Sequence, residues 1–182
     1  MIEIKNKVEC CGCGACASVC PKHCIKMQAD NEGFKYPQVD MTKCVDCRLC
    51  EKVCPLLHKP EQQEPLAVYG AKNVDDSIRL HSSSGGLFTA FAREILAQQG
   101  IVYGAEMTSE LQVQHCAVSE EAELAKLRGS KYVQSEMGEC YKQARFLLQQ
   151  GRKVLFSGTP CQIAGLKGFL NKEYPNLYTV DV

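Results

Sequence analysis

Eight cysteines fall into two copies of one spacing. Cys10, Cys13, Cys16 and Cys20, followed by Pro21, read C-x2-C-x2-C-x3-C-P, and Cys44, Cys47, Cys50 and Cys54, followed by Pro55, repeat that run without deviation. Such a run holds cubane iron-sulfur clusters: three closely spaced thiolates bind three corners of one cluster, and the fourth reaches the other cluster. On that crossing, Cys10, Cys13, Cys16 and Cys54 hold one 4Fe-4S cluster, and Cys44, Cys47, Cys50 and Cys20 hold the second. Structural zinc sites favour two pairs of ligands per metal and have no need of a doubled four-cysteine run. Gly12 and Gly14 let the backbone wrap tightly and aim amides at cluster sulfurs. Cys11 and Cys24 lie outside the pattern and read as small buried or spare thiols. His23, His58, His81 and His115 show no ligand spacing, so no metal role is assigned to them.

The composition sets the setting for that chemistry. The chain has 182 residues and 13 cysteines, and an odd count cannot be fully paired in a disulfide framework within one chain. Residues 1–9 are charged where a secretory leader would be apolar, and no run approaches the ~20 apolar residues of a membrane span. The expectation is a cytoplasmic protein with reduced thiols and no membrane span. A formal net charge of zero gives no footprint for nucleic acid or an anionic membrane.

The cysteine loops need a scaffold. Between the runs, "CIKMQADNEGFKYPQVDMTKC" contains two short extended segments around a turn at Asp30 to Gly33, which suits an α+β ferredoxin made of two related halves. Residues 1–58 resemble the bacterial dicluster ferredoxins. Residues 59–65 are polar and proline-bracketed, as in a linker. From 66 to 182 the pattern becomes that of an α/β domain with a parallel or mixed sheet. Strands are predicted at 66–73, 101–107 and 111–118, the last two joined by a hairpin at Thr108, Ser109 and Glu110. Helices are predicted at about 84–99, ending before Gly100, at 120–127 after Ser119, and at 136–150 after Ser135. "KVLFSG", "TPCQIAGLKGFL" and "LYTVDV" form a βαβ unit.

Two places in this second region can carry chemistry. In "HSSSGG", Ser82, Ser83, Ser84, Gly85 and Gly86 stand directly before a helix. Free amides, hydroxyls and missing side chains suit a phosphate, with no basic cluster beside them in sequence, and an ordinary helix start has the same composition. In "FSGTPCQIAGL", Thr159 suits the N-cap, Pro160 the first helical position and Cys161 the first turn. A helix dipole there favours the thiolate, which would make Cys161 reactive; the alternative is a tidy βα turn with a small buried thiol.

The dicluster run together with "SSSGGLFTA", "LRGSKYVQS" and "VLFSGTPCQIAGL" resembles the coenzyme F-420 hydrogenase/dehydrogenase beta-subunit family. The resemblance implies an FAD-dependent iron-sulfur oxidoreductase that passes electrons between two 4Fe-4S clusters and a hydride-exchanging compound such as coenzyme F-420. It places FAD phosphate near Ser82 to Gly86, Lys131 and Tyr132 beside the flavin, and Thr159, Pro160 and Cys161 at the flavin or reacting substrate, with Thr159 and Cys161 the catalytic candidates. It implies a redox partner protein, a ferredoxin or another oxidoreductase subunit. Members of the family usually continue past the "LYTVDV" strand, so the chain reads as truncated, with part of the flavin site outside it. The other reading is an electron carrier or adapter whose α/β domain only docks a partner.

Overall fold

The computed structural model describes residues 1–59 and 64–182; residues 60–63 of the expected linker lie outside the described residues. The first cysteine run continues into helix α1 (Ala15–Val19), followed by strands β1 (Ile25–Ala29) and β2 (Lys35–Val39) and helix α2 (Leu49–Lys52). β1 and β2 pair antiparallel, Ile25 opposite Val39. The Asp30 carboxylate shapes their turn by accepting from the amides of Glu32 (3.0 Å) and Phe34 (3.1 Å), the Asx pattern that makes Asp a turn former.

Helices α3 (Asp76–Leu80) and α4 (Leu87–Ala97) then precede β3 (Ile101–Met107) and β4 (Val113–Val118), followed by α5 (Cys140–Gln149), β5 (Val154–Gly158), α6 (Pro160–Leu170) and β6 (Leu177–Asp181). The sheet order is β4-β3-β5-β6. β3 and β4 form the expected antiparallel hairpin, whereas β5 runs parallel to both β3 and β6, so the sheet is mixed. β5 is buried at every residue, as a central strand covered on both faces must be. Phe156 and Tyr103 point to a core shared with α5 and α6, while Leu155 and Val102 point to a core with α4. Tyr103 stacks on Phe156 with centroids 5.1 Å apart.

Several boundaries differ from the sequence reading. Residues 66–73 form no strand: Leu66, Val68 and Tyr69 are exposed, and the segment is fixed at its end by Asn73, whose amide donates to Gly85 O at 2.7 Å. Apolar alternation cannot make a strand without a sheet edge to join. α3 was not anticipated, although Asp75 caps it through the amides of Ser77 and Ile78. The segment Glu121–Leu127 is a 3-10 helix. At three residues per turn its buried Leu124 and Leu127 eclipse on one side. α5 starts at Cys140 and not at 136, because Glu136 is extended beside β4, donating to Val113 O (2.9 Å) and accepting from the His115 amide (2.7 Å).

The cysteine-rich region and the α/β region share one core. Ala15 and Val53 pack with Tyr141, Leu166 and Phe169. Tyr141 is fully buried, and a large side chain so placed contributes on the order of 1.5–3 kcal/mol. α6 comes close because it has glycine on that face: a Cβ on Gly165 would sit 3.1 Å from Cys13 Sγ, and one on Gly168 would sit 2.7 Å from Val53 O.

Candidate iron-sulfur and cofactor site

Two cavities open between the cysteine loops. One is lined by Cys10, Cys13, Cys16 and Cys54 among Ile2, Ile4, Met27 and Pro37. The other is lined by Cys20, Cys44, Cys47 and Cys50 among Ile25 and Val39. The last cysteine of each run thus faces the cavity of the other run. α1 produces this crossing, since Cys16 lies within the helix and Cys20 caps its end. Among the described residues no three His, Cys, Asp or Glu side chains converge as a single ion needs; the thiols are arranged around a space, the donor set of a polynuclear cluster.

Backbone amides reach these sulfurs. The Ile2 amide donates to Cys50 Sγ at 3.2 Å. Burial pushes Cys10 up, opposed by the Gly12 amide, and pushes Cys16 up to about 12. At Cys20 burial acts in the same sense, but the Cys24, Lys22 and His23 amides and the Cys24 thiol, 3.3 Å away, together lower it. Such N–H···S bonds stabilise the anionic form of a ligated sulfur. Cys24 is buried at this second cavity, as expected of a small spare thiol, whereas Cys11 is exposed at the lip of the first.

The first turn of α6 abuts the first cavity. Thr159 is the N-cap of a reciprocal capping box with Gln162, and Pro160 begins the helix. The Tyr141 hydroxyl lies 3.0 Å from Cys13 O and 2.8 Å from Gln162 O, clamping loop 11–13 against that turn. Cys161 is in the first turn, as read from sequence, but its protonation runs against the helix-dipole expectation. The neighbouring Cys11 thiol and burial push it up, outweighing a contact with Thr159 Oγ1 at 3.1 Å.

Residues 128–136 connect this turn to the start of α4. No serine caps α4: Gly86, at φ +73°, holds the N-cap position without a side-chain hydrogen bond. Ser82 Oγ donates instead to Ile78 O (2.7 Å), and Ser83 Oγ accepts from the Ser130 amide (2.7 Å). Ser83 thereby joins the two motifs that sequence reading left separate. Arg128 Nε donates to Thr89 Oγ1 at 3.1 Å, which sets a guanidinium at the first turn of α4, where no basic neighbour is visible in sequence. The Lys131 ammonium is turned onto Arg128 O (2.7 Å) and Lys126 O (3.1 Å), and burial lowers its pKa. Tyr132 is 94% exposed and packs on nothing. Further on, Gln134 Oε1 accepts from the Lys35 amide (2.8 Å), and its Nε2 lies 3.5 Å from Gly12 O. Gly12 has φ +63°, and a Cβ there would sit 2.7 Å from Lys35 O. Ser135 Oγ bonds His115 Nδ1 (2.9 Å) and accepts from Gln162 Nε2 (2.8 Å).

The structure therefore brings the eight motif cysteines, Thr159, Pro160 and Cys161 to one region, and joins Ser83 to the 128–136 strip that leads there. It turns Ser82 and the Lys131 charge to local backbone bonds. Sequence reasoning gave no site role to Arg128, Gln134, Tyr141 and Gln162, read Ser135 only as a helix cap, and assigned His115 no metal role. "LRGSKYVQS" pointed to the strip as a motif, but its tertiary partners lie 20 to 122 residues away.

Comparison with known proteins agrees with this geometry. Residues 9–56 match the 4Fe-4S dicluster domain, and residues 68–142 match the family described as coenzyme F420 hydrogenase/dehydrogenase, beta subunit N-term. The chain carries a 4Fe-4S dicluster ferredoxin region joined to a mixed α/β domain. Its α/β region is similar to the N-terminal part of the coenzyme F420 hydrogenase/dehydrogenase beta subunits. The chain is 22% identical over 172 residues to a subunit of the F(420)H(2) dehydrogenase of Methanosarcina mazei, covering 88% of this chain and 48% of that protein. A subunit of the NADH-quinone oxidoreductase of Pelobacter propionicus is 42% identical over 58 residues, covering 28% of this chain and 31% of the relative. Ferredoxin 7Fe of Hydrogenibacillus schlegelii is 36% identical over 64 residues, 34% of this chain and 76% of the relative. The F420-reducing NiFe hydrogenase complex from Methanosarcina barkeri aligns with a TM-score of 0.49 at 23% identity, over 60% of this chain and 41% of that one. The chain thus spans less than half of the first and second of these relatives.

Proposed function

We propose that the chain works as an iron-sulfur flavoprotein component of an oxidoreductase. Cys10, Cys13, Cys16 and Cys54 hold one 4Fe-4S cluster, and Cys20, Cys44, Cys47 and Cys50 hold the other. FAD lies along the 128–136 strip, and the reducible substrate is a hydride-exchanging compound such as coenzyme F420. A bound flavin supplies the exchange between single electrons and electron pairs. The observation that carries the reading is the strip itself, which runs from the uncapped start of α4, beside Arg128, to Gln134 on the Gly12 loop of the first cavity.

The residues fit such a group. First-turn amides of α4 and the Arg128 guanidinium suit its phosphates, while exposed Tyr132 and Val133 offer apolar surface for a ring. Thr159 and the α6 turn border the ring on the cluster side. Cys47 is exposed, so the second cavity suits an electron-donating partner protein and the first hands electrons inward.

The test is reconstitution of the full chain under anaerobic conditions with iron, sulfide and FAD. About eight iron and eight sulfide per chain are expected, with flavin retained through desalting. Arg128→Gln should weaken FAD retention at least about tenfold, about 1.4 kcal/mol, with iron unchanged. Full iron with no flavin binding at any FAD concentration would support the carrier reading and overturn the flavoprotein one.

A further inference from the structure

Four hydrogen bonds behind the first turn of α6 run in one direction. The Thr159 amide can only donate, so Gln162 Oε1 accepts from it (2.9 Å), and Gln162 Nε2 donates to Ser135 Oγ (2.8 Å). Ser135 then has its own hydroxyl proton free for His115 Nδ1 (2.9 Å), while His115 Nε2 donates to Ser157 O (3.0 Å), a carbonyl that only accepts. The ring of bonds closes around Gly158, where a Cβ would sit 2.9 Å from Gln162 Oε1 and 3.4 Å from His115 Nε2. His115 and Gln162 are buried, whereas Ser135 is half-buried on the 128–136 strip. Of the two groups that can pass a proton, the serine is therefore the one nearer to solvent. Around the imidazole, the Cys140 thiol of α5 donates to His115 O (3.3 Å), the ring of Phe156 from β5 is uncharged, and the Glu136 carboxylate of the strip is held by Lys35. Burial holds the pKa of His115 below 6.5, which keeps Nδ1 open to accept at pH 7 and makes the imidazolium a stronger acid for the return.

We propose that Ser135 and His115 form a proton relay for compounds whose reduced form carries an acidic N–H or O–H beside the hydride it exchanges, with Gln162 as a positioning residue. The proposal rests on the reading of the strip and the α6 turn as the place of hydride exchange. A compound of this class releases that proton when it gives up its hydride. The proton passes to Ser135 Oγ while Ser135's own proton passes to His115 Nδ1. At Ser135 one O–H bond forms and one breaks; at His115 an N–H bond forms and the ring becomes an imidazolium. The reverse sequence returns the proton to a compound taking a hydride up, and no oxidant or reductant enters the proton step. Gln162, by donating to Ser135 Oγ, keeps the hydroxyl turned to the imidazole.

The experiment uses the iron-loaded, FAD-treated full chain without oxygen. In its first arm, 15N NMR of histidine-labelled chain reads the tautomer and titration of His115, with His115→Gln assigning the signal. The expected result is the Nε2–H tautomer, neutral at pH 7. An Nδ1–H tautomer, or a ring charged at pH 7, would overturn the relay, since neither leaves Nδ1 free to accept. In the second arm, stopped flow follows the oxidation of reduced coenzyme F420 by an excess of the oxidised chain. The parent rate should fall as pH drops through the His115 pKa. Ser135→Ala should be about 100-fold slower and lose that pH dependence, with iron and flavin retained. An unchanged rate, or a slower one with the parent's pH profile, would overturn the relay alone and leave Ser135 a structural group. A parent chain that oxidises no reduced coenzyme F420 would overturn the hydride-exchange reading beneath the relay, and the relay with it.

Discussion

His115 has its protonation fixed by where its two ring nitrogens point. Nε2 faces Ser157 O at 3.0 Å, an atom that only accepts, so Nε2 carries the proton and Nδ1 accepts from the Ser135 hydroxyl. Its ring stacks on Phe156 with centroids 5.6 Å apart. Burial holds its pKa below 6.5, against the Ser157 bond. The unfolded chain therefore binds this proton before the folded chain does. Stability is complete above about pH 6.5 and falls as pH drops below it, by at most about 1.4 kcal/mol per pH unit for one proton. Urea unfolding of the full chain between pH 7.5 and 5.5 should show that loss, and His115→Gln should flatten the slope; identical slopes would contradict the assignment. The residue's presence was plain in sequence, but its role was not, because Ser135 and Ser157 lie 20 and 42 residues away. Cys161 teaches the same point: its place in a first turn was legible, while its Cys11 neighbour, which reverses the expected effect of the dipole, was not.

The element that joins the two regions is α6, and its glycines decide how. On helix propensity alone, Gly168→Ala should gain roughly 1 kcal/mol. A Cβ 2.7 Å from Val53 O has only backbone to displace, and overpacking of that kind costs typically ~1–3 kcal/mol. Sterics should win: the variant should melt at lower temperature than the parent and release iron faster to a chelator, because Val53 adjoins Cys54. A raised melting temperature would show that α6 does not bear on the second cysteine run as described. The periodicity of α4 and α6, the β3–β4 hairpin and the β5–α6–β6 unit could be read locally, since each carries its own apolar pattern and stop signals. The true starts of α4 and α5 could not. Gly86 displaces the serine cap, and Glu136 is captured by β4; both are tertiary effects. α3 was readable in the Asp75 cap and was passed over.

At the scale of the whole molecule, the dicluster region and the α/β domain are not beads on a string. One apolar core runs from Ala15 and Val53 through Tyr141 to Phe156, and the first cavity lies at that seam. Among the described residues no helix is long and apolar enough to cross a membrane. The cysteine spacing made the grouping of thiols around two cavities legible, because thiol order in such runs follows a short repeated spacing; the seam was not, since it depends on residues more than a hundred positions apart. The central claim is the crossed pair of clusters, of which one meets the α/β domain. Low-temperature EPR of the reduced, iron-loaded chain should resolve two cluster signals. Cys20→Ser should alter the same signal as Cys47→Ser, and Cys54→Ser the same signal as Cys13→Ser. If Cys20→Ser instead alters the signal lost in Cys13→Ser, each run holds its own cluster, and the crossed arrangement is wrong.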